Sequence, residues 1–439
     1  MIRFLLFFTL LLNLHLASAA FFTDAERTRI VTYWNAPGRY RVDARAEAAK
    51  SGPWVVRLTP EASQWLYNYG HINSADKIPP TANGKPTTPH TEEWEKWITA
   101  KLSYDQWLAQ TIADAANAQN GITPATNSPA PAPPLPGMIP DTLLAAVGNP
   151  PPLAAPVTPL RHTITFEDGD VLTYTDHIPV RARFAYYRFA QGVMHPGVAL
   201  SKMSDAELDA LFAESGMTPF EQHVAKSVSR LEGGFESVNT YDTGYLSVGF
   251  IQFATLAGGA GSLGDTLKKE KTGRPNDFQA DFRNYGLDVN DKSELVVLDP
   301  VTGAELVGAT AVQKIIDDKR LVAVFQHAGT HSHAFRVAQI QTAKQNYYPA
   351  DNPLKVTVGN QTITGKVSDV IKSEAGMATL FDRKVNTGSI RVLATTVEKI
   401  MADHHLTRFA EVAPYEREII KAVRWRTDFL QYAGLSQPA

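Results

Sequence analysis

Twelve of the chain's 28 prolines fall between Pro124 and Pro159. Proline locks φ at about −65° and has no backbone N–H, so neither a long helix nor an interior strand runs through such a stretch. Pro129-Ala130-Pro131-Ala132-Pro133-Pro134 and Pro150-Pro151-Pro152 read as extended, semi-rigid linker, with Asp141–Val147 as a short helical island. The prolines thus predict a boundary across residues 121–160. A chain of 439 residues is long enough for two or three domains with sizeable cores.

On the near side of this boundary, Met1-Ile2-Arg3, the apolar run Phe4–Leu16 and the small residues Ala17-Ser18-Ala19 read as a signal peptide cleaved before Ala20. The expected location is secreted or periplasmic, with no membrane span after cleavage. Residues 20–120 hold six of the seven tryptophans and suggest helices over Asp24–Tyr33, Pro60–Tyr69 and Thr91–Ala116. Trp94, Trp97, Ile98, Leu102 and Trp107 lie close to one helical face, a pattern of core packing before it is one of sugar stacking. Asn73–His90 reads as loop. Zero cysteines exclude disulfides, and a net charge of −3 without basic runs gives no case for a nucleic-acid partner.

Beyond the prolines, residues 161–439 read as a mainly α domain with small β-hairpins. His162–Phe166 and Val171–Thr175 flank the turn Asp168-Gly169. Leu295–Leu298 with Glu305–Val307, and Lys355–Val358 with Thr362–Gly365, suggest two more hairpins. Helices are expected from Ser204 to Ala213 and over Ala311–Phe325, His333–Tyr347, Val367–Phe381, Ser389–Met401 and Pro414–Tyr432.

The stretch Leu231–Phe253 carries the candidate chemistry. Thr218, Pro219 and Glu221 mark a helix start, and Phe220, Val224, Val228 and Leu231 recur at helical spacing. Gly233-Gly234 is expected to stop that helix through a left-handed cap, leaving Glu232 on its last turn. The dipole and flanking apolar residues would then keep Glu232 protonated, as a general acid requires. Asp242 follows in a polar turn that predicts a solvated, ionised carboxylate, dividing the pair into acid and base. A glutamate beside two glycines is also an ordinary helix end, and an aspartate in a turn an ordinary cap. The ordered combination with Gly249-Phe250-Ile251-Gln252 favours a site.

That order, a helix-ending Glu, an Asp-x-Gly turn and Gly-Phe-Ile-Gln, resembles the lysozyme superfamily, and within it goose-type lysozymes, soluble lytic transglycosylases and bacterial chitosanases. Glu374-Ala375-Gly376 to Phe381-Asp382-Arg383-Lys384-Val385 is similar to a late helical part of the chitosanases. The resemblance implies a lysozyme-like α+β fold cleaving an amino-sugar polymer, peptidoglycan first and chitosan second. It gives Glu232 the acid role and Asp242 the base or stabilising role, with Glu236 as rival second carboxylate. Asn239, Tyr241, Tyr245 and Gln252 would then position sugars, and Lys268–Asp281 would line one wall. With a single glutamate the same superfamily offers lytic transglycosylation. A non-catalytic glycan-binding or envelope scaffold is the reading from another class.

No cofactor is called for. His327, His331 and His333 crowd together, but Gly329 separates them and no zinc-protease glutamate is present, so they read as a helix boundary rather than a metal site. His404-His405 reads as a helix cap. Ser247 lacks a nucleophile elbow, and Gly258-Gly259-Ala260-Gly261 lacks a P-loop's lysine.

Overall fold

Burial sorts the side chains into two cores. The computed structural model describes residues 20–43, 54–70, 92–122, 131–177, 189–242 and 244–438. The leader at 1–19 and the loop Asn73–His90 lie outside the described residues.

The smaller core gathers Trp65 and Leu66 of α2 (Pro60–Gly70), Trp94, Trp97 and Ile98 of α3 (Glu92–Gln119), Leu143 of α4 (Asp141–Val147), and Leu153. Each indole N–H in this set finds an acceptor in the proline-rich segment. Trp65 donates to the Gly148 carbonyl at 3.1 Å, Trp94 to Thr142 Oγ1 at 2.9 Å and Trp97 to the Gly137 carbonyl at 3.3 Å. The Leu153 amide donates to the buried Asp105 carboxylate at 2.6 Å, and β3 (Ala155–Val157) pairs antiparallel with β2 (Val55–Arg57). Over residues 131–160, then, the stretch read as linker is anchored on the tryptophan-rich region by Leu143, Leu153 and these hydrogen bonds. Its prolines supply rigid backbone between the Gly137, Thr142 and Gly148 acceptors that the tryptophans engage.

The larger core begins at the N-terminus. α1 (Asp24–Asn35) is closed by a capping box between Thr23 and Glu26, and it buries Ile30 and Trp34 alongside Phe22. β1 (Tyr40–Val42) pairs with β4 (Arg161–Thr165), which pairs with β5 (Val171–Thr175) around the expected Asp168-Gly169 turn. Residues 20–43 therefore belong with the C-terminal half, not with the tryptophan-rich region that follows them.

The rest is helical with small antiparallel sheets, a mixed α+β chain that is mainly α. β10 (Leu287–Val289) extends the expected hairpin of β11 (Leu295–Leu298) and β12 (Glu305–Val307), and β13 (Pro353–Val358) pairs with β14 (Gln361–Lys366). Helix boundaries depart from the periodicity at side-chain caps. The apolar pattern over Ala311–Phe325 spans two helices, α9 (Ala309–Asp317) and α10 (Lys319–His331), because extended Asp318 accepts the Arg320 amide at 3.2 Å. Likewise Val367–Phe381 divides into α12 (Val367–Val370) and α13 (Glu374–Thr387), the second capped by Ser373. Ser332 separates α10 from α11 (His333–Tyr347). α14 spans Val392–Asp403, and Pro414–Tyr432 is α-helical only in α15 (Glu416–Val423). No helix among the described residues is long and apolar enough to cross a membrane.

Two carboxyl side chains meet within this core. Glu270 of α7 (Ser262–Gly273) is 2% exposed and hydrogen-bonds Asp281 of α8 (Pro275–Asp281), a bond that exists only while one carboxyl keeps a proton. Burial, then the Asp281 hydrogen bond and charge, push Glu270 up to about 10. Between an ordinary carboxyl value and that value, the folded chain holds a proton that the unfolded chain has lost. This contribution to stability is full at low pH and fades as pH rises through the window. Glu270→Gln is expected to flatten the slope and to stabilise the fold at pH 9 by roughly 1–3 kcal/mol, read from thermal midpoints across pH 5–10.

Candidate active site

α6 (Pro219–Ser229), which follows α5 (Asp205–Glu214), delivers the candidate acid. Thr218 and Glu221 form the expected capping box, the Thr218 amide donating to Glu221 Oε2 at 2.7 Å and the Glu221 amide to Thr218 Oγ1 at 3.3 Å. Val224 and Val228 are buried, whereas Phe220 and Leu231 at the ends of the predicted stripe are exposed. The helix ends earlier than expected, and the Glu232 amide closes a tight turn onto the Ser229 carbonyl at 3.0 Å. Glu232 therefore stands just past the helix rather than on its last turn.

Gly233 and Gly234 are not left-handed caps, since neither has positive φ. Crowding explains them. A Cβ on Gly234 would lie 2.6 Å from the Val198 carbonyl oxygen, and one on Gly233 3.1 Å from that of Pro196. Their amides donate to Pro196 and Phe250 carbonyls, stitching the segment between neighbouring loops.

The Glu232 side chain is 14% exposed and pairs with the Arg426 guanidinium, whose Nε donates to Asp382 Oδ1 at 2.9 Å. Asp382 of α13 is buried and also accepts from Asn386. Burial pushes the Glu232 carboxyl above its usual range, Arg426 opposes this, and the Asp382 charge adds to it. Asp382 lay within a segment singled out for its resemblance but without a role. Arg426, 194 residues from Glu232, left no local signal.

A four-stranded antiparallel sheet follows Glu232: β6 (Met194–His195), β7 (Val238–Asn239), β8 (Ser247–Val248) and β9 (Phe253–Ala254). Asp242 sits in the β7–β8 connection. Its Oδ1 accepts the Gly244 amide at 2.8 Å and its Oδ2 the Asn239 amide nitrogen at 2.8 Å. The expected solvated, ionised aspartate is corrected here. Asp242 is partly buried, and desolvation outweighs both hydrogen bonds to raise its pKa. The polar neighbours that suggested solvation fold inward onto the carboxyl instead.

Asn239 is buried between Asp242 and the Tyr241 amide, so it orients the aspartate rather than offering a free amide to a sugar. Glu236 is buried, and its Oε1 accepts the Val198 amide at 2.6 Å, which makes it a loop brace rather than a second catalytic carboxylate. Gln252 donates to Ser237 Oγ and to the Gly249 carbonyl, leaving its carbonyl oxygen as the end for a ligand hydroxyl. Tyr245 lies edge-on to Phe189 at 5.4 Å, and Tyr241 packs against the smaller core.

The loop is held from behind. Fully buried Gln339 of α11 donates to the Phe235 carbonyl at 3.0 Å and accepts the Phe250 amide at 3.3 Å. Tyr245, Gln252 and Leu256 all have positive φ, half of the six such non-glycine residues described. Backbone strain of this kind persists only where surrounding structure enforces it, and it gathers at functional loops.

Lys268–Asp281, expected along a cleft wall, forms the end of α7 and all of α8 and buries Glu270 and Phe278. A cavity of about 500 Å³ is lined by Arg29, Tyr33, Arg39, Glu167, Asn284 and Tyr285 and includes none of the acids above.

Replacing Arg426 by methionine removes the guanidinium that favours charged Glu232. The Glu232 midpoint is expected to rise further, followed by NMR of carboxyl-labelled glutamate with Glu232→Gln for assignment; an unchanged or lowered midpoint contradicts the pairing. No family model, curated protein or solved structure matches this chain.

Proposed function

We propose that this chain is a secreted or periplasmic glycoside hydrolase of lysozyme-like fold. Its substrate is an amino-sugar polymer, peptidoglycan before chitosan. The observation that carries the proposal is Glu232: a carboxyl just past a helix end, desolvated, raised in pKa and tethered by Arg426. A second carboxyl, Asp242, is fixed in the antiparallel hairpin that follows. A helix-end glutamate paired with a loop aspartate is the order implied by the resemblance to lysozymes and chitosanases.

In the proposed reaction Glu232 protonates the glycosidic oxygen as the bond to the sugar breaks. Asp242, ionised, takes a proton from the attacking water or stabilises the oxocarbenium-like transition state. Asn239 and the Gly244 amide hold Asp242 as acceptor, and Tyr241, Tyr245 and the Gln252 carbonyl oxygen orient sugar hydroxyls.

Both acids are shifted up. Activity needs Asp242 charged and Glu232 protonated, so the bell-shaped rate profile is expected to have both limbs above ordinary carboxylate values. Glu232→Gln is expected to lower turnover by roughly 10²–10⁴-fold with polymer binding retained. Product masses from peptidoglycan and chitosan decide the chemistry: reducing muropeptides indicate a muramidase, anhydro ends a transglycosylase and glucosamine oligomers a chitosanase. The engagement of Glu232 by Arg426 and of both Asp242 oxygens within the fold supports a second reading, a non-catalytic glycan binder. Binding of sacculi without cleavage by the unmutated protein would establish that reading and reject the hydrolase.

A further inference from the structure

The β4–β5 turn meets α10 through a set of side chains that the reaction above does not use. His327 and His331 stand four residues apart on α10, which carries both imidazoles on one side of the helix. Asp168 and Asp170 reach them from the turn. His327 Nε2 lies 2.8 Å from Asp168 Oδ2, and His331 Nε2 lies 3.1 Å from Asp170 Oδ2. One ligand atom each from Asp168, His327 and His331 fall within 4.8 Å of one another.

We infer that Asp168, His327 and His331 form a binding site for a divalent transition cation of the zinc type, with Asp170 beside it as fourth ligand. Two imidazoles and one or two carboxylates are the donor set that suits borderline cations and not magnesium or calcium. Tetrahedral zinc at its usual bond lengths wants donors about 3.3 Å apart. The present spread is near enough for rotation of the exposed His331 and Asp168 side chains to close. His327 is already oriented: its ring stacks on buried Phe166, centroids 4.1 Å apart. Gly329, in the middle of the intervening turn, interrupts nothing, because α10 is continuous to His331. The histidines read from sequence as a helix boundary thus do end a helix, and the separate hairpin supplies the acids that local spacing lacked.

A cation here would fasten the hairpin to α10. That helix backs the acid loop at close range, since a Cβ on Gly329 would lie 2.4 Å from Glu236 Cα. The inference does not depend on the hydrolase reading, and its test does not use activity.

Untagged protein, stripped with chelator, is titrated with Zn²⁺ and with Co²⁺ by calorimetry and visible absorption, alongside His331→Ala and Asp168→Asn. The expected result is one cation per chain, a Co²⁺ absorption band of low-coordinate N/O type, and a thermal midpoint raised by Zn²⁺ but not by Mg²⁺. Each variant is expected to weaken Kd at least ~10-fold, as loss of a metal-site group does. Both positions are substantially exposed, so the metal-free variants should keep the parent's circular dichroism, and one that does not is judged by the other. Absence of saturable binding, or affinity unchanged in both variants, overturns the site and leaves two histidine–aspartate contacts that only dock the hairpin.

Discussion

The buried amide of Gln339 is the contact on which the acid loop depends. A primary amide in a water-free core must find partners for both ends, or it costs about 1–3 kcal/mol. Gln339 finds them in the Phe235 carbonyl and the Phe250 amide, which flank the two halves of the loop. The requirement works in both directions, because those backbone groups would otherwise be buried without partners. It also dictates Gly249, where φ is +84° and a Cβ would fall 2.1 Å from the Gln339 oxygen. One side chain on α11 therefore sets the height of the segment after Glu232 and of the segment leading to Gln252.

A second layer of restraint comes from the chain's two ends. Glu232 is tied by Arg426, in the bend after α15, to Asp382 on α13, so the acid's position depends on segments that follow it by well over a hundred residues. On the other flank Tyr241, next to Asp242, packs on the smaller core built from tryptophans and the proline-rich segment. The segment that looked like a tether is thus part of what the aspartate's neighbour rests on. Its rigidity serves packing: prolines lose little entropy on folding, and the Gly137, Thr142 and Gly148 oxygens held between them accept the indole N–H groups.

Features set by neighbours in sequence were legible. The Thr218–Glu221 capping box, the Asp168-Gly169 turn, the β13–β14 hairpin and the Asp141–Val147 helix all depend on residues within a few positions of one another. Boundaries made by a side chain turning back on its own backbone were hidden by continuous apolar periodicity, as at Asp318 and Ser373. The role of Gly233-Gly234 was misread for a related reason. A glycine pair looks the same whether backbone dihedrals or a crowding neighbour require it, and the neighbour, Val198, lies far off in the chain. Arg426, Gln339 and the meeting of Asp168 with His327 are contacts across 194, 104 and 159 residues of sequence, and no local pattern encodes them.

The Asp242 environment shows why polar composition is a poor guide to a carboxyl's charge. Asn239 and Gly244 point their donors at Asp242, which favours the anion, yet they also exclude the water that would have stabilised it more. The balance is decided by desolvation, and the carboxyl moves up. Glu232 is desolvated too, but it faces a full positive charge rather than neutral amide dipoles. The distinction between the two acids is therefore not buried against solvated, as their sequence settings suggest. It lies in what receives the negative charge once the proton leaves. For Glu232 it is a side-chain guanidinium anchored on Asp382, whereas the donors to Asp242 are part of the backbone turn and its buried asparagine. On the proposed hydrolase reading, the two carboxyls thus differ in their counter-groups, a full positive charge beside the acid and neutral dipoles around the base.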